Sequence, residues 1–306
     1  MKVLLATQKP FSAEAVEGIA QIVKAGGHSF ATLEKYEGEK ELAEAVKDVN
    51  ALIVRSDLVT EQVIKAAPEL KIVVRAGAGF DNIDLQAATR AGIVVMNTPG
   101  QNANAVAELA LALMIYMARN QFTPATGTEI AGKTLGIQGF GNVGCLIASK
   151  AAALGMKVKA YDPVRSAEDL RSYGVEPVES LEELYSGCNY VSLNVPLLPS
   201  TERSVGERLL KLLPKGALLV NTARKEVVDE QGLERALAER TDIKYATDVA
   251  PDNYALLREE FSLRVYANSK KMGAQTAEAN INAGYAAARQ IVDYFATGNT
   301  KFQVNK

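Results

Sequence analysis

Leu135-Gly136-Ile137-Gln138-Gly139-Phe140-Gly141-Asn142-Val143-Gly144 is the stretch that decides the fold of this chain. A short apolar strand runs directly into glycines spaced G-x-G-x-x-G, and a helix-forming segment, residues 142–154, follows. Gly139 permits the tight turn, Gly141 lets the backbone approach a pyrophosphate, and Gly144 lets helix and strand pack closely. The first amides of the helix and the positive end of its dipole then face the phosphates. The pattern predicts that residues 139–144 bind a dinucleotide.

A second strand, residues 158–161, ends at Asp162, eighteen residues after Gly144. A carboxylate there accepts hydrogen bonds from the adenosine ribose and repels a 2′-phosphate, so Asp162 predicts NAD rather than NADP. Arg165 lies close in sequence and argues the other way. Glycine turns alone are common in α/β proteins. Here strand, glycines, helix, strand and acid occur in order, which favours a functional site over a purely structural turn.

Short β-branched segments alternate with amphipathic, helix-length segments along the whole chain. We predict strands at 3–6, 30–33, 52–55, 72–76, 93–97, 134–138, 157–161, 190–194, 217–221, 245–248 and 265–267. Helices such as 13–24 and 39–49 carry apolar residues at three- and four-residue spacing, and 102–119 is an almost wholly apolar helix. The alternation predicts an α/β fold of two Rossmann-like domains with parallel sheets, covered by helices on both faces.

The composition excludes several classes of function. With 34 basic and 36 acidic residues the net charge is -2, which gives no electrostatic case for nucleic acid or a membrane surface. No apolar run is long enough to span a bilayer, and the opening strand is too short for a signal peptide. Two cysteines, Cys145 and Cys188, form neither a disulfide framework nor a metal cluster. We therefore expect a cytoplasmic protein without a metal. A single histidine, His28, excludes any mechanism that needs histidine elsewhere.

Beyond the glycine turn, a series of motifs resembles the D-2-hydroxyacid dehydrogenase family. They are L-I-V-R-S at 52–56, R-A-G-A-G-F-D-N-I-D at 75–84, V-M-N-T-P at 95–99, A-V-A-E at 105–108, P-L-L-P-S-T at 196–201, N-T-A-R at 221–224, V-D-E at 228–230 and G-A-Q-T at 273–276. The resemblance covers nearly the whole chain. It implies an NAD-dependent oxidoreductase of the short type, without C-terminal regulatory domains, and the homodimer usual in the family.

The resemblance also implies how the domains divide the work. We expect residues 1–98 and 286–306 to form a substrate-binding domain, to which 302–304 returns, and 99–285 to form the NAD-binding domain. Cofactor and substrate would bind in the cleft between them. The connection 121–132 is shorter than the family's, in a region that helps subunits pair, so the details of the dimer stay open.

Residues at strand ends take on roles in this comparison. Arg224 can clamp a substrate carboxylate and polarise the keto oxygen with one planar guanidinium. Asp248 matches the family's ligand for the nicotinamide carboxamide. The other cofactor contacts expected outside the glycine turn and Asp162 are Asn194, Pro196, Thr201, Thr222, Ala223, Arg224 and Gly273.

A second set of residues is expected to bind the substrate. The backbone amides of Gly77 and Ala78 lie in a glycine-rich bend that can hold a carboxylate or phosphate. Arg55, at a strand end and followed by Ser56, is our candidate for a phosphate, and Lys9 can assist it. The alternative for Arg55 is a solvated arginine in a salt bridge.

The sequence departs from the family at the catalytic pair. The family's histidine position holds Lys271, and its glutamate position holds Asn253, beside Asp252. In one interpretation Lys271 is the acid/base, with its pKa lowered from ~10.4 by burial and neighbouring positive charges. Loss of the glutamate agrees with this, because a carboxylate would hold the lysine protonated. In the other, the site is inactive and the protein is an NAD-binding sensor.

The resemblance implies oxidation of a phosphorylated 2-hydroxy acid, 3-phosphoglycerate, to 3-phosphohydroxypyruvate, the first step of serine synthesis. The alternatives within the same chemistry are reduction of glyoxylate or hydroxypyruvate and oxidation of D-lactate.

Overall fold

The computed structural model describes residues 1–306, which form two compact units. Unit 1 comprises Met1–Asn102 and Gln275–Lys306, and unit 2 comprises Ala103–Ala274. The first boundary lies four residues beyond the expected end at residue 98. The second, expected at 286, is wrong, because that position falls inside one continuous helix, Ala277–Thr297, which belongs to unit 1 over its whole length.

Unit 1 contains a five-stranded parallel sheet in the order β2-β1-β3-β4-β5. Its strands are β1 (Lys2–Thr7), β2 (Ser29–Glu34), β3 (Ala51–Val54), β4 (Ile72–Arg75) and β5 (Val94–Asn97). β1 and β3 are neighbours, with Val3 opposite Ala51, and the strand order reverses between them. In open α/β sheets, ligands bind beyond the carboxyl ends of strands at such a reversal. The chain segments after β1, β3 and β4 therefore share one edge.

Four of the five helices of unit 1 begin after a short polar side chain that accepts a backbone amide. They are α1 (Ala13–Ala25), α2 (Glu39–Ala45), α3 (Glu61–Lys65), α4 (Leu85–Arg90) and α12 (Ala277–Thr297). Ser12, Thr60 and Thr276 each accept the N–H of the third helical residue. α2 ends four residues before the predicted end at 49, because Val49 N–H donates to Val46 O (3.3 Å) in a tighter turn. Asn50 N–H then donates to Lys2 O (2.9 Å) as the chain enters β3.

The C-terminal segment returns to unit 1, as the sequence predicted. Gln303 bridges to Met96 in antiparallel fashion, and Val304 N–H donates to Val95 O (2.9 Å). The buried Asn305 side chain accepts from Val95 N–H (2.9 Å) and donates to Ile93 O (2.8 Å). The segment therefore covers the edge strand β5.

Unit 2 contains a seven-stranded parallel sheet in the order β12-β11-β10-β9-β6-β7-β8. Its strands are β6 (Thr134–Gln138), β7 (Lys157–Tyr161), β8 (Glu176–Pro177), β9 (Tyr190–Leu193), β10 (Leu218–Asn221), β11 (Lys244–Thr247) and β12 (Val265–Ala267). From β6 the chain extends to β8 on one side and then crosses to β9 on the other. The reversal thus lies between β6 and β9, beside the glycine turn.

Seven helices cover this sheet: α5 (Ala103–Ala118), α6 (Asn142–Ala153), α7 (Ala167–Ser172), α8 (Leu181–Gly187), α9 (Glu207–Leu210), α10 (Glu230–Glu239) and α11 (Tyr254–Phe261). The apolar α5 buries Ala107, Met114 and Met117 in the same core as Ile137 and Ile147. α5 and α6 pack on each other on one face of the sheet. None of the helices combines the length and the apolar character that crossing a bilayer requires.

Candidate functional site

The glycine turn between β6 and α6 has the conformation that its sequence requires. Gly139 has φ +91°, and a Cβ there would lie 2.8 Å from Asn194 O. A Cβ on Gly144 would lie 2.4 Å from Gly139 O, so only glycine lets α6 approach the turn this closely. Gly141 has open space where its Cβ would be. A pyrophosphate-binding turn needs close packing at its first and third glycines and free space at its second, and this turn has both.

Asp162 follows β7 and is bound to the turn itself. One carboxylate oxygen accepts Phe140 N–H (2.6 Å), and the other accepts Val164 N–H (2.8 Å). The carboxylate therefore fixes the second residue of the glycine turn. A carboxylate oxygen has more than one acceptor site, so Asp162 can still accept ribose hydroxyls.

The carboxyl ends of four neighbouring strands carry buried polar atoms that have no hydrogen-bond partner in the protein. These atoms are Asn194 Oδ1 after β9, Thr222 Oγ1 after β10, Asp248 Oδ1 after β11 and Asn268 Oδ1 after β12. Such atoms are rare, because leaving a buried acceptor unsatisfied costs about 1–3 kcal/mol. A row of them along one sheet edge indicates a polar ligand.

The expected cofactor contacts differ in what they already bind. Asp248 is 1% exposed, and its second oxygen accepts Gly273 N–H (2.8 Å), so the two residues are fixed together. The Thr201 hydroxyl donates to Pro196 O (2.6 Å) and accepts Leu198 N–H (2.8 Å). Thr201 therefore holds the 196–201 loop in shape.

Arg224 and Lys271 meet at one carbonyl group. Lys271 Nζ donates to Ala223 O at 2.7 Å, and Arg224 Nη1 donates to the same oxygen at 3.2 Å. Ala223 N–H in turn donates to Asn221 Oδ1 (3.0 Å), which fixes this carbonyl just beyond the end of β10. The sequence placed both cations in the site from separate motifs, and the structure brings them together.

Asn253, at the family's glutamate position, binds α10. Its side-chain nitrogen donates to Glu234 Oε2 (3.3 Å) and approaches Glu230 O (3.5 Å). Its Oδ1 is buried without a partner. The neighbouring Asp252 forms an ion pair with Lys225. A direct role for Asn253 in catalysis stays a prediction.

Unit 1 has its own polar cluster beyond β1, β3 and β4. Arg55 follows β3, and its Nη2 donates to Asn280 Oδ1 (2.6 Å) while its guanidinium lies 5.0 Å from the centre of the Phe11 ring. Burial lowers the pKa of Arg55, and the Asp57 carboxylate opposes that shift. Lys9 contributes its backbone, since its carbonyl accepts from Thr7 Oγ1 (2.7 Å) and Arg55 Nη1 (3.4 Å). Ser56 is exposed beside them.

One expectation for this cluster is wrong. Gly77 N–H donates to Arg75 O (2.8 Å), so it is not available to an anion, and of the two amides proposed here Ala78 remains. Gly77 has another role, because a Cβ at its φ of +153° would lie 1.3 Å from Arg75 Nη1. Glycine at 77 makes room for the Arg75 guanidinium.

Two residues of the unit 1 cluster were missed from the sequence. Arg75 ends β4 and donates through Nε to Arg55 O (2.9 Å), so the signal that selected Arg55, an arginine at a strand end, also applies to it. Asp57 is 2% exposed and accepts Gln8 N–H (2.7 Å) and Tyr36 Oη–H (2.9 Å). Burial and Asp57 raise the pKa of Tyr36 well above its ordinary value, which keeps the hydroxyl a donor. No local pattern identifies Asp57.

The doubly wound sheet, the glycine turn at its reversal, Asp162 and the unsatisfied strand ends define a dinucleotide-binding domain. Comparisons with known proteins give its family. Residues 108–262 match the family model described as "D-isomer specific 2-hydroxyacid dehydrogenase, NAD binding domain". A solved NAD+-bound 3-phosphoglycerate dehydrogenase from Entamoeba histolytica is 47% identical, with a TM-score of 0.91 over 100% of this chain and 99% of that one.

Curated relatives agree. D-3-phosphoglycerate dehydrogenase of Methanocaldococcus jannaschii is 38% identical over 83% of this chain and 51% of its own length. Hydroxypyruvate reductase of Thermotoga maritima is 37% identical over 82% of this chain and 86% of its own length. The chain thus belongs to the D-isomer specific 2-hydroxyacid dehydrogenase family, and unit 2 contains its NAD-binding domain. It spans about half the length of the curated phosphoglycerate dehydrogenases it matches.

Proposed function

We propose that the protein oxidises 3-phosphoglycerate to 3-phosphohydroxypyruvate with NAD. The observation that carries the proposal is the shared Ala223 carbonyl, which holds a guanidinium and an amine together at the carboxyl end of β10 in an NAD-binding domain. Names of relatives support the substrate, since several of them are phosphoglycerate dehydrogenases. The chemistry of each residue follows from this arrangement.

Arg224 is proposed to bind the 2-hydroxy acid. Its planar guanidinium presents five N–H donors in a fixed fork that matches a carboxylate, and it stays charged at any working pH. One donor is used on Ala223 O, which fixes the orientation of the group. In this proposal the guanidinium fork engages the carboxylate and the oxygen on C2.

Lys271 is proposed to accept the proton from the C2 hydroxyl. A neutral amine keeps N–H donors and gains a lone pair. One N–H on Ala223 O therefore orients that lone pair without consuming it. NAD, when bound, would supply the acceptor for the hydride on C2. In the reverse direction the ammonium returns the proton to the keto oxygen.

Unit 1 is proposed to bind the phosphate group through Arg55, Arg75 and the Ala78 amide, with Ser56 and Lys9 beside them. Arg75 Nε donates to the backbone carbonyl of Arg55 (2.9 Å), so the Arg75 guanidinium is held next to the Arg55 backbone. Paired guanidiniums suit a phosphate dianion, which accepts several charge-assisted hydrogen bonds.

NADH formation and consumption across phosphorylated and unphosphorylated acids test the proposal. Phosphoglycerate dehydrogenase activity predicts a higher kcat/KM for 3-phosphoglycerate than for glycerate, and an Arg55→Ala variant that loses this preference. The second candidate, hydroxypyruvate reduction, is favoured by the relative from Thermotoga maritima. It predicts no advantage from the phosphate. A non-catalytic NAD-binding sensor predicts binding of NAD without turnover of any acid.

We propose further that two chains pair through an exposed apolar surface of unit 2. Ile115, Tyr116, Phe122 and Tyr266 form it, with Phe122 69% exposed. Its edge is held by Asn120, Gln121 and Phe122, which all have positive φ, a conformation unfavourable for such residues. Phe122→Asp should convert a dimer to monomers in sedimentation velocity.

Two free cysteines support a reducing, cytoplasmic setting.

A further inference from the structure

The segment after β7 carries an arginine whose role the sequence left undecided. Arg165 lies three residues beyond Asp162, where an arginine can accommodate the 2′-phosphate of NADP. Asp162 argues against NADP, and Arg165 argues for it. The contacts of the Arg165 guanidinium decide between NAD and NADP.

Arg165 is bound to a carboxylate. Its Nη1 lies 2.7 Å from Asp169 Oδ2, and each side chain keeps about a third of its surface exposed, 36% for Arg165 and 35% for Asp169. Asp169 is itself fixed, because its N–H donates to Ser166 Oγ (3.1 Å) at the start of α7. The acceptor therefore sits on an anchored turn, and the arginine folds back onto it.

Asp162, Arg165 and Asp169 all influence the first turn of α6. The pKa of Cys145 in that turn is raised by burial; Arg165 opposes the rise, and Asp169 and Asp162 add to it. All three groups thus lie within electrostatic reach of a residue that directly follows Gly144. The geometry agrees, because Asp162 accepts both Phe140 N–H of the glycine turn (2.6 Å) and Val164 N–H (2.8 Å), and Val164 directly precedes Arg165. The Arg165–Asp169 pair therefore lies next to the dinucleotide-binding turn.

We infer that Asp169 determines cofactor specificity together with Asp162. Asp169 neutralises Arg165 in an ion pair, so the 2′-phosphate of NADP meets the Asp162 carboxylate without a compensating positive charge from Arg165. Arg165 becomes a phosphate ligand when Asp169 loses its charge. The inference rests on the NAD-binding domain and does not depend on which acid is the substrate.

The test measures binding of NADH and NADPH to the full-length protein by calorimetry, without substrate. Asp162→Ser removes the first carboxylate and leaves an oxygen that can accept Phe140 N–H. Adding Asp169→Asn should then tighten NADPH binding on the order of fivefold, the effect of one unit charge about 4 Å away in water. NADH binding should change less than about twofold, which also shows that the site is folded. Adding Arg165→Ala should abolish the gain.

A matched control removes a carboxylate from the same unit without touching Arg165. Glu176 pairs with Lys159 at 2.7 Å between β7 and β8, so Glu176→Gln in the Asp162→Ser background should leave NADPH binding unchanged. The inference is overturned if Asp169→Asn has no effect on NADPH, if it tightens NADH equally, or if the gain survives Arg165→Ala. If the unmodified protein binds neither nucleotide, the cofactor assignment itself fails, whereas NADH binding without acid turnover contradicts only the proposed function.

Discussion

Replacing Lys271 tests the proposed proton transfer directly. Lys271 is an exposed side chain, so the burial expected from the sequence is wrong, and Lys271→Met removes both the amine and its bond to Ala223 O. Because exposed substitutions usually change the free energy of unfolding by about 0.5 kcal/mol or less, the folded site should persist. General acid–base catalysis contributes ~10²–10⁴-fold, so kcat should fall by that factor, or about 3–5 kcal/mol of transition-state stabilisation.

The expected change in KM is much smaller. Lost attraction between one positive charge and the substrate, about 4 Å apart in water, is worth about 1 kcal/mol, or about fivefold. Arg224 keeps its own hydrogen bond to Ala223 O and still binds the carboxylate. An effect on kcat that exceeds the effect on KM by an order of magnitude therefore distinguishes proton transfer from simple charge balance.

Lys271→Arg is the matched control, since it keeps the positive charge and the donor to the carbonyl but cannot titrate in the working range. The assay follows NADH formation in the direction of oxidation from about pH 7 to about pH 10. The unmodified protein should gain kcat with rising pH as the amine loses its proton, and Lys271→Arg should be slow with that pH dependence gone. Near-normal kcat in Lys271→Arg with an unchanged pH profile would refute the proton-transfer role.

Three further predictions follow from packing and charge. Arg55→Ala should raise KM for the phosphorylated substrate about tenfold or more while leaving NAD affinity unchanged in calorimetry, since charge-assisted hydrogen bonds contribute about 1.5–3 kcal/mol; unchanged KM would place the phosphate elsewhere. Gly144→Ala should destabilise unit 2 by about 1–3 kcal/mol in urea unfolding, because its Cβ meets Gly139 O at 2.4 Å, whereas Gly141→Ala should weaken NAD binding at nearly constant stability. Burial raises the pKa of Cys188 from 9.0 to about 12, so its contribution to stability is present below pH 9 and is lost as the pH rises towards 12, at about 1.4 kcal/mol per pH unit; Cys188→Ala should flatten that decline in denaturant titrations.

Local sequence patterns predicted the strands and the glycine turn, which depend on residues close together in the chain. The strands predicted at 134–138 and 157–161 are confirmed residue for residue as β6 and β7. The glycine turn is confirmed for the same reason, since φ at Gly139 and the close approach at Gly144 depend on neighbours within a few residues. The predicted domain boundary at 286 was wrong because a boundary depends on which sheet a helix packs against. The sequence of α12 shows only one continuous amphipathic helix and does not indicate the sheet on which it packs.

Residues whose role depends on strand order could not be found from the sequence. Asp57 connects the ends of β1 and β3, which are adjacent in the sheet but separated in the chain by β2 and two helices. The meeting of Lys271 with Arg224 at Ala223 O joins two motifs 47 residues apart. The prediction for the Gly77 amide was wrong because a glycine-rich bend predicts exposed N–H groups. In the folded chain this N–H donates to Arg75 O.

The two departures from the family's catalytic pair are consistent with one another in this structure. One acceptor of Lys271 is the neutral Ala223 carbonyl, which can hold an amine in both protonation states. The position of the family's glutamate lies against two carboxylates of α10. The Asn253 backbone N–H donates to Glu230 Oε2 (3.3 Å), and its side chain donates to Glu234 Oε2 (3.3 Å). A third carboxylate there would be repelled by those two, while an amide fits. The acidic face of α10 therefore favours an asparagine over a glutamate at position 253.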